Sequence, residues 1–300
     1  MLSTMQTVGA VLMLSIVLVA GRKRHHCDSK YYELTPAHTM CLTDKPNAVA
    51  VPLTQETEHE ILEMHNKIRA DVTDAANMLK MEWDERLATV AQKWAMQCIL
   101  GHDSGRRGEP DLPGSVGQNV AWSSGDLTFL GAVQMWADEI VDFQYGVWTD
   151  GTGHYIQQVF AGASRIGCGQ SACGNNKYFV CNYYKGTMGD EPYQLGRPCS
   201  QCRSSCQHIR GSQGRWGSLC DCTNGPDACF NGGIFNINTC QCECSGIWGG
   251  ADCQEKHCPN EDFDDMCRYP DALRRPQHWC QYDNFQSDCP ILCGYCPNPN

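Results

Sequence analysis

Residues 83–98 read WDERLATVAQKWAMQC. Trp83, Leu87, Ala91, Trp94, Ala95 and Cys98 recur there at helical spacing over four turns, which gives one apolar face. Asp84 stands where an N-cap belongs and Glu85 follows in the first turn, so the helix is expected to start there. Working outward, Ile61, Met64, His65, Ile68 and Val72 form an earlier amphipathic set. Leu130, Val133, Trp136, Ala137 and Ile140 form a later one within Phe129 to Phe143. After Gly151-Thr152-Gly153 the texture turns β-rich: His154 to Phe160, Arg165 to Cys168 and Tyr178 to Tyr184 are short runs bounded by Gly, Asn or Ser. Helices followed by antiparallel strands predict an α+β layered domain.

The chain has 300 residues and 22 cysteines, a density at which thiols persist as disulfides only in an oxidising compartment. The cysteines divide the chain. Six fall within residues 1–181 and sixteen within residues 199–296, so its character changes near Gly196-Arg197-Pro198. A cored domain is expected before that point, and after it a tail held by staples rather than by a core. Val8 to Ala20 is an apolar run that predicts a signal peptide over residues 1–20; it is too short for a membrane span, which needs about 20 apolar residues. The triplet Arg22-Lys23-Arg24 reads as the flank of the cleavage site or as a processing site. A net charge of −11 argues against nucleic acid or an anionic membrane as the main partner. No Asn-x-Ser/Thr sequon occurs, so ordinary N-glycosylation is not expected. These features predict a secreted, extracellular chain without a transmembrane segment, acting as a monomer or weak dimer.

Six separated motifs, in order, resemble the CAP superfamily of cysteine-rich secretory, antigen 5 and pathogenesis-related 1 proteins. His65-Asn66-Lys67-Ile68-Arg69 is similar to the family's HNxxR helix, and Trp83 to Cys98 to its WDxxLAxxAxxWAxxC helix. Gly117-Gln118-Asn119 resembles G-[EQ]-N, and Trp136 with Glu139 resembles W-x-x-E. Gly153 to Phe160 with Ser164 to Cys168 resembles GHYTQVVW...S..IGCG, and Val180 to Tyr184 resembles VCNYxP. The resemblance implies a CAP-type α-β-α sandwich over residues 54–190, after an extension over 21–53. It also implies disulfides Cys98–Cys173 and Cys168–Cys181. A further bridge of venom members would need cysteines where this chain has Val116 and Tyr184; both are absent together.

The tail divides similarly. Cys222, Cys229, Cys240, Cys242, Cys244 and Cys253, with Asn231-Gly232-Gly233, resemble an EGF-like module over 222–254, which implies Cys222–Cys240, Cys229–Cys242 and Cys244–Cys253. Cys258, Cys267, Cys280, Cys289, Cys293 and Cys296 resemble an ShK-like domain over 255–297, which implies Cys258–Cys296, Cys267–Cys289 and Cys280–Cys293. Cys199, Cys202, Cys206 and Cys220 remain for a hinge over 191–221, and Cys27 could pair with Cys41. The interval Gln281 to Asp288 lacks the lysine that potassium-channel blockers of the ShK family use, and no calcium pattern precedes Cys222.

The resemblance places His102, Gln118, Glu139 and His154 in one cleft. Two imidazoles beside a carboxylate suit a divalent metal such as Zn²⁺, with His102, His154 and Glu139 as ligands. Gln118 occupies a family acidic position, and an amide supplies neither charge nor a titrating proton, which weakens both metal and acid/base readings. Asp103, inside His102-Asp103-Ser104, either compensates electrostatically or faces solvent. The competing reading makes both histidines hydrogen-bonding residues of the cleft wall, Gln118 and Asn119 loop organisers, and Asn66 and Arg69 structural. A protease would use Ser104 as nucleophile, His154 or His102 as base and Glu139 as orienter, but no nucleophile elbow supports it. Phe129, Trp136, Phe143, Tyr145 and Trp148 form either core or, as the family resemblance implies, a sterol or lipid surface. The reading favoured is a non-enzymatic protein that recognises an extracellular protein or lipid; the alternative is a metal-assisted or serine endoprotease.

Overall fold

The computed structural model describes residues 27–105, 108–187, 189 and 191–298, apart from the side chains at 270, 271, 283 and 284. The expected signal peptide and the basic triplet lie outside the described residues.

A short helix α1 (Ser29–Leu34) and strand β1 (Ala48–Ala50) precede helix α2 (Gln55–Ala70), strand β2 (Glu82–Trp83) and helix α3 (Glu85–Ala95). Then follow β3 (Val116–Ser123), α4 (Phe129–Asp138), α5 (Gly153–Gln158), β4 (Arg165–Cys173) and β5 (Asn176–Tyr184). The sheet runs β1-β4-β5-β3 with antiparallel neighbours, and β2 lies parallel beside β4. Helices cover both faces of this sheet, the α-β-α sandwich that the resemblance implies.

Alternation along β5 builds the layers. Phe179, Cys181 and Tyr183 point into the larger core with Ile61, Ile68, Val133, Trp136 and Val159, whereas Val180 joins Ala91, Trp94 and Ala95 of α3 on the other face. On that second face β4 carries Gly167 and Gly169 at its middle. A Cβ on Gly167 would come within 2.2 Å of Ala88 N, and one on Gly169 within 2.3 Å of Gln92 Cα, so α3 lies directly on the sheet backbone. Asp84 accepts from the backbone of Arg86 and Leu87, as an N-cap does.

Two helical residues are buried for structural ends. Arg69 is fully buried and its guanidinium donates to the carbonyls of Leu79, Gln158, Phe160, Ala161 and Ala163 at 2.5–3.3 Å. Asn66 exchanges bonds with the Met81 backbone at 3.0 and 2.8 Å. One helix thus satisfies backbone groups of two irregular segments, which otherwise pair only through isolated bonds such as Leu79 N to Ala161 O and Lys80 N to Cys220 O.

The structure departs from the local reading in three places. His154 to Phe160 was expected as a strand, yet Gly153–Gln158 is α5. Its apolar residues Tyr155, Ile156 and Val159 fit a helical face as well as an extended one, and what settles the conformation is a remote cap, Glu139. The helix expected over Phe129 to Phe143 ends at Asp138 and tightens into a 3-10 turn over Glu139–Asp142, leaving Ile140 exposed. Trp83 belongs to β2 rather than to the helix, and Cys98 sits beyond it at φ 56°.

All 22 cysteines are paired. Cys98–Cys173 ties the end of α3 to the end of β4, and Cys168–Cys181 joins register partners of β4 and β5. Val116 and Tyr184 also stand directly opposite each other, between β3 and β5. In the tail, β6 (Cys206–Arg210) and β7 (Trp216–Cys220) form a hairpin with bridges Cys199–Cys206 and Cys202–Cys220. Asp71 at the end of α2 holds that hairpin's turn by accepting from the backbone of Ser212 and Gln213. Beyond it, Cys222–Cys240, Cys229–Cys242 and Cys244–Cys253 staple one segment, and Cys258–Cys296, Cys267–Cys289 and Cys280–Cys293 the next. Asp227 pins the first of these to the main domain through Arg86 at 2.9 Å and Arg165 at 2.5 Å.

Candidate functional site

The first turn of α5 carries His154, and the turn after α4 carries Glu139. Glu139 Oε2 accepts the backbone N–H groups of His154 and Tyr155 at 2.8 and 3.0 Å, while Oε1 meets His154 Nδ1 at 2.6 Å. One carboxylate therefore caps a helix and fixes an imidazole. With Nδ1 engaged, Nε2 is the ring nitrogen that His154 offers to a ligand or proton. Trp136, buried, stacks on the His154 ring at 6.0 Å and 28°, which holds the ring's plane.

His102 is exposed, and its ring lies 6.4 Å from that of His154. Ser104 is exposed too, but among the described residues it makes no hydrogen bond to His102, His154 or Glu139. Asp103, between them, does not face solvent: it is buried, and its carboxylate accepts from Gly105 N and from the Thr39 hydroxyl. Thr39 comes from the N-terminal extension, closed by Cys27–Cys41. His38 beside it hydrogen-bonds the Gly108 carbonyl, and Tyr31 donates to Glu109. The extension thus props the histidine loop from behind, a contact that cysteine spacing alone does not reveal.

Gln118 closes the wall. Its Oε1 accepts from Asp103 N at 2.9 Å and its Nε2 donates to Asn182 Oδ1 at 3.0 Å, so both ends of the amide are committed to loop and sheet. Asn119 donates to the His154 carbonyl and to Tyr183 Oη, and Tyr183 in turn reaches His65 Nε2 at 3.0 Å. The aromatic set separates: Phe129 and Trp136 are core, Phe143 and Tyr145 are half-buried, and Trp148 is exposed.

Comparison with known proteins decides what carries this cleft. The chain is 66% identical over 298 residues to the cysteine-rich venom protein Mr30 of Conus marmoreus, covering 99% of this chain and all of that one. It belongs to the cysteine-rich secretory protein (CAP) family. The CAP family model matches residues 62–183, and a CXCXC repeat model matches residues 233–244, around Cys240, Cys242 and Cys244. The cysteine-rich secretory protein 3 of Equus caballus is 37% identical over 180 residues, 54% of this chain and 72% of that one. Among solved structures, NaASP2 with Zn²⁺ matches at 30% identity and a TM-score of 0.42, covering 50% of this chain and 91% of that one.

This CAP protein is extracellular, as its disulfides and its venom and secretory relatives require. Among the described residues no helix is long and apolar enough to cross a membrane. Cys199, Cys202 and Cys220 lie close enough to suggest a metal cluster, but their sulfurs are in disulfides and supply no thiolate.

Proposed function

We propose that this CAP protein acts outside the cell by recognising a protein partner at the cleft face, with His102 and His154 as candidate ligands for a divalent cation such as Zn²⁺. The observation that supports it is the double grip of Glu139 on His154, which presents Nε2 in a fixed direction before any ligand arrives. Two imidazoles on one tetrahedral ion would hold their ring centres about 5 Å apart, so the observed 6.4 Å needs a closure of about 1 Å, which the exposed His102 can supply. Glu139 then serves behind His154 rather than on the ion, which leaves two protein ligands and a weak, exchangeable site.

A serine hydrolase reading has less support, because among the described residues Ser104 makes no hydrogen bond to His102, His154 or Glu139. A lipid reading loses Phe129 and Trp136 to the core. The bridges of residues 222–254 and 255–297 support reading them as EGF-like and ShK-like modules that widen the recognition surface.

Calorimetric titration with Zn²⁺ tests the metal site, run beside a His102→Ala/His154→Ala variant. Saturable binding that the variant loses is expected; binding that survives in the variant, or none at all, removes the cation and leaves both histidines structural.

A further inference from the structure

From Gly108 to Ser164 the chain contains no Lys or Arg, against seven acids: Glu109, Asp111, Asp126, Asp138, Glu139, Asp142 and Asp150. Four of the seven lie on the stretch that runs from the end of α4 to the start of α5. The same stretch exposes more apolar surface than packing explains: Met135 is 50% exposed, Ile140 47%, Val141 82%, Val147 40% and Trp148 52%.

The stretch is anchored from beneath. Phe143 packs edge-on against Tyr155 at 5.2 Å, and the Tyr145 hydroxyl donates to the Tyr193 carbonyl at 2.6 Å. Val147 N bonds Gln144 O at 3.0 Å to close the turn, and a Cβ on Gly153 would lie 3.4 Å from the Trp148 ring, so Trp148 folds back beside His154. Apolar side chains therefore stand outward from a held backbone rather than from a floppy loop, and they are interleaved with acids. Among the described residues Asp138, Asp142 and Asp150 form no ion pair with a Lys or Arg. Exposed apolar patches on a secreted protein mark interaction sites, and unpaired charge of one sign selects the opposite sign in the partner.

We infer that residues 135–150 are a docking rim for a basic amphipathic peptide segment, one that sets Lys or Arg against the acids and apolar side chains against Val141, Val147 and Trp148. This rests on the recognition reading above and names the chemistry of the partner.

The test uses the full oxidised protein and a fluorescent Lys/Leu peptide of about twelve residues, with Glu/Leu and Gln/Leu peptides of the same pattern as controls. Saturable anisotropy is expected with the Lys/Leu peptide only, weakening as salt is raised. Two surface variants, Val141→Ser/Trp148→Ser and Asp138→Asn/Asp142→Asn/Asp150→Asn, should each weaken binding about tenfold while unfolding within about 2 °C of the parent. Absence of saturable binding, equal binding of the Glu/Leu peptide, or full binding by both variants overturns the rim. So does binding of phosphatidylcholine vesicles in place of peptide, or concentration-dependent dimerisation that the Trp148 variant abolishes. Zn²⁺ titration of the same preparations separates the outcomes: a lost peptide signal with Zn²⁺ binding intact removes the rim and leaves the cleft reading standing.

Discussion

Glu139 and His154 are joined at both backbone and side chain: one carboxylate oxygen accepts the His154 N–H at 2.8 Å and the other meets its Nδ1 at 2.6 Å. Glu139→Gln keeps the shape but removes the charge, and its amide must set an NH2 either against the helix N–H groups or against His154 Nδ1. The loss should cost about 1–2 kcal/mol and lower the melting temperature by a few degrees. If the histidines hold a cation, Zn²⁺ affinity should fall about tenfold in the same variant, because the ring loses its orienting partner. Scanning calorimetry and metal titration read the two effects separately; an unchanged melting temperature would refute the capping role.

Arg69 satisfies five backbone carbonyls from a fully buried position. Burial pulls its guanidinium down to about 9, so it is still charged at neutral pH. Arg69→Met fills the volume but strands those acceptors. Each unmet buried partner costs about 1–3 kcal/mol, so a loss of at least about 4 kcal/mol is expected. Urea denaturation measures it, and a loss under about 1 kcal/mol would mean that water replaces the guanidinium.

His65 gives the fold an acid limit. It is fully buried, its Nδ1 donating to the Ile61 carbonyl at 2.8 Å and its Nε2 accepting from Tyr183. Burial pushes its pKa down to about 4. The unfolded chain, with histidine near 6.5, binds the proton first. Stability therefore rises with pH across the window from about 4 to 6.5 and is lost as pH falls through it, by about 3 kcal/mol in all. The urea midpoint should drop steeply between pH 6.5 and 4 in the parent, whereas His65→Gln should be less stable at pH 7 and flatter across that window.

The sequence carried the α+β class, the cysteine division and the middle of each helix face plainly, because each is a matter of spacing along the chain, but not the helix ends at Trp83, Cys98 and Ile140. Glycines 167 and 169 were readable only as part of a motif; that α3 rests on them is a distance between remote segments. α5 was misread as a strand because its cap, Glu139, arrives from another element, so local composition could not contain it. Of the candidate cleft, the family resemblance points to His102, Glu139, His154 and Gln118, but not to the partners that fix them. Thr39 behind Asp103 and Asn182 behind Gln118 lie 64 residues away in each case, and no periodicity encodes such a meeting.

Those remote partners decide the meaning of Gln118. Family resemblance makes Gln118→Glu look like the restoration of a missing ligand. The structure gives the amide a different task, since Nε2 donates to Asn182 Oδ1 and Oε1 accepts from Asp103 N. A glutamate keeps the second bond but turns its other oxygen toward the Asn182 acceptor, and it adds a charge next to buried Asp103. Asn182 could rotate its amide to donate, but it would then give up its bond to the Leu87 carbonyl at 3.4 Å. Gln118→Glu should therefore cost about 1–3 kcal/mol and leave Zn²⁺ affinity unchanged within about threefold. Denaturation and metal titration on the one variant settle it. Stronger metal binding at little cost in stability would show that position 118 opens onto the cleft and that the natural glutamine holds back an acidic ligand set.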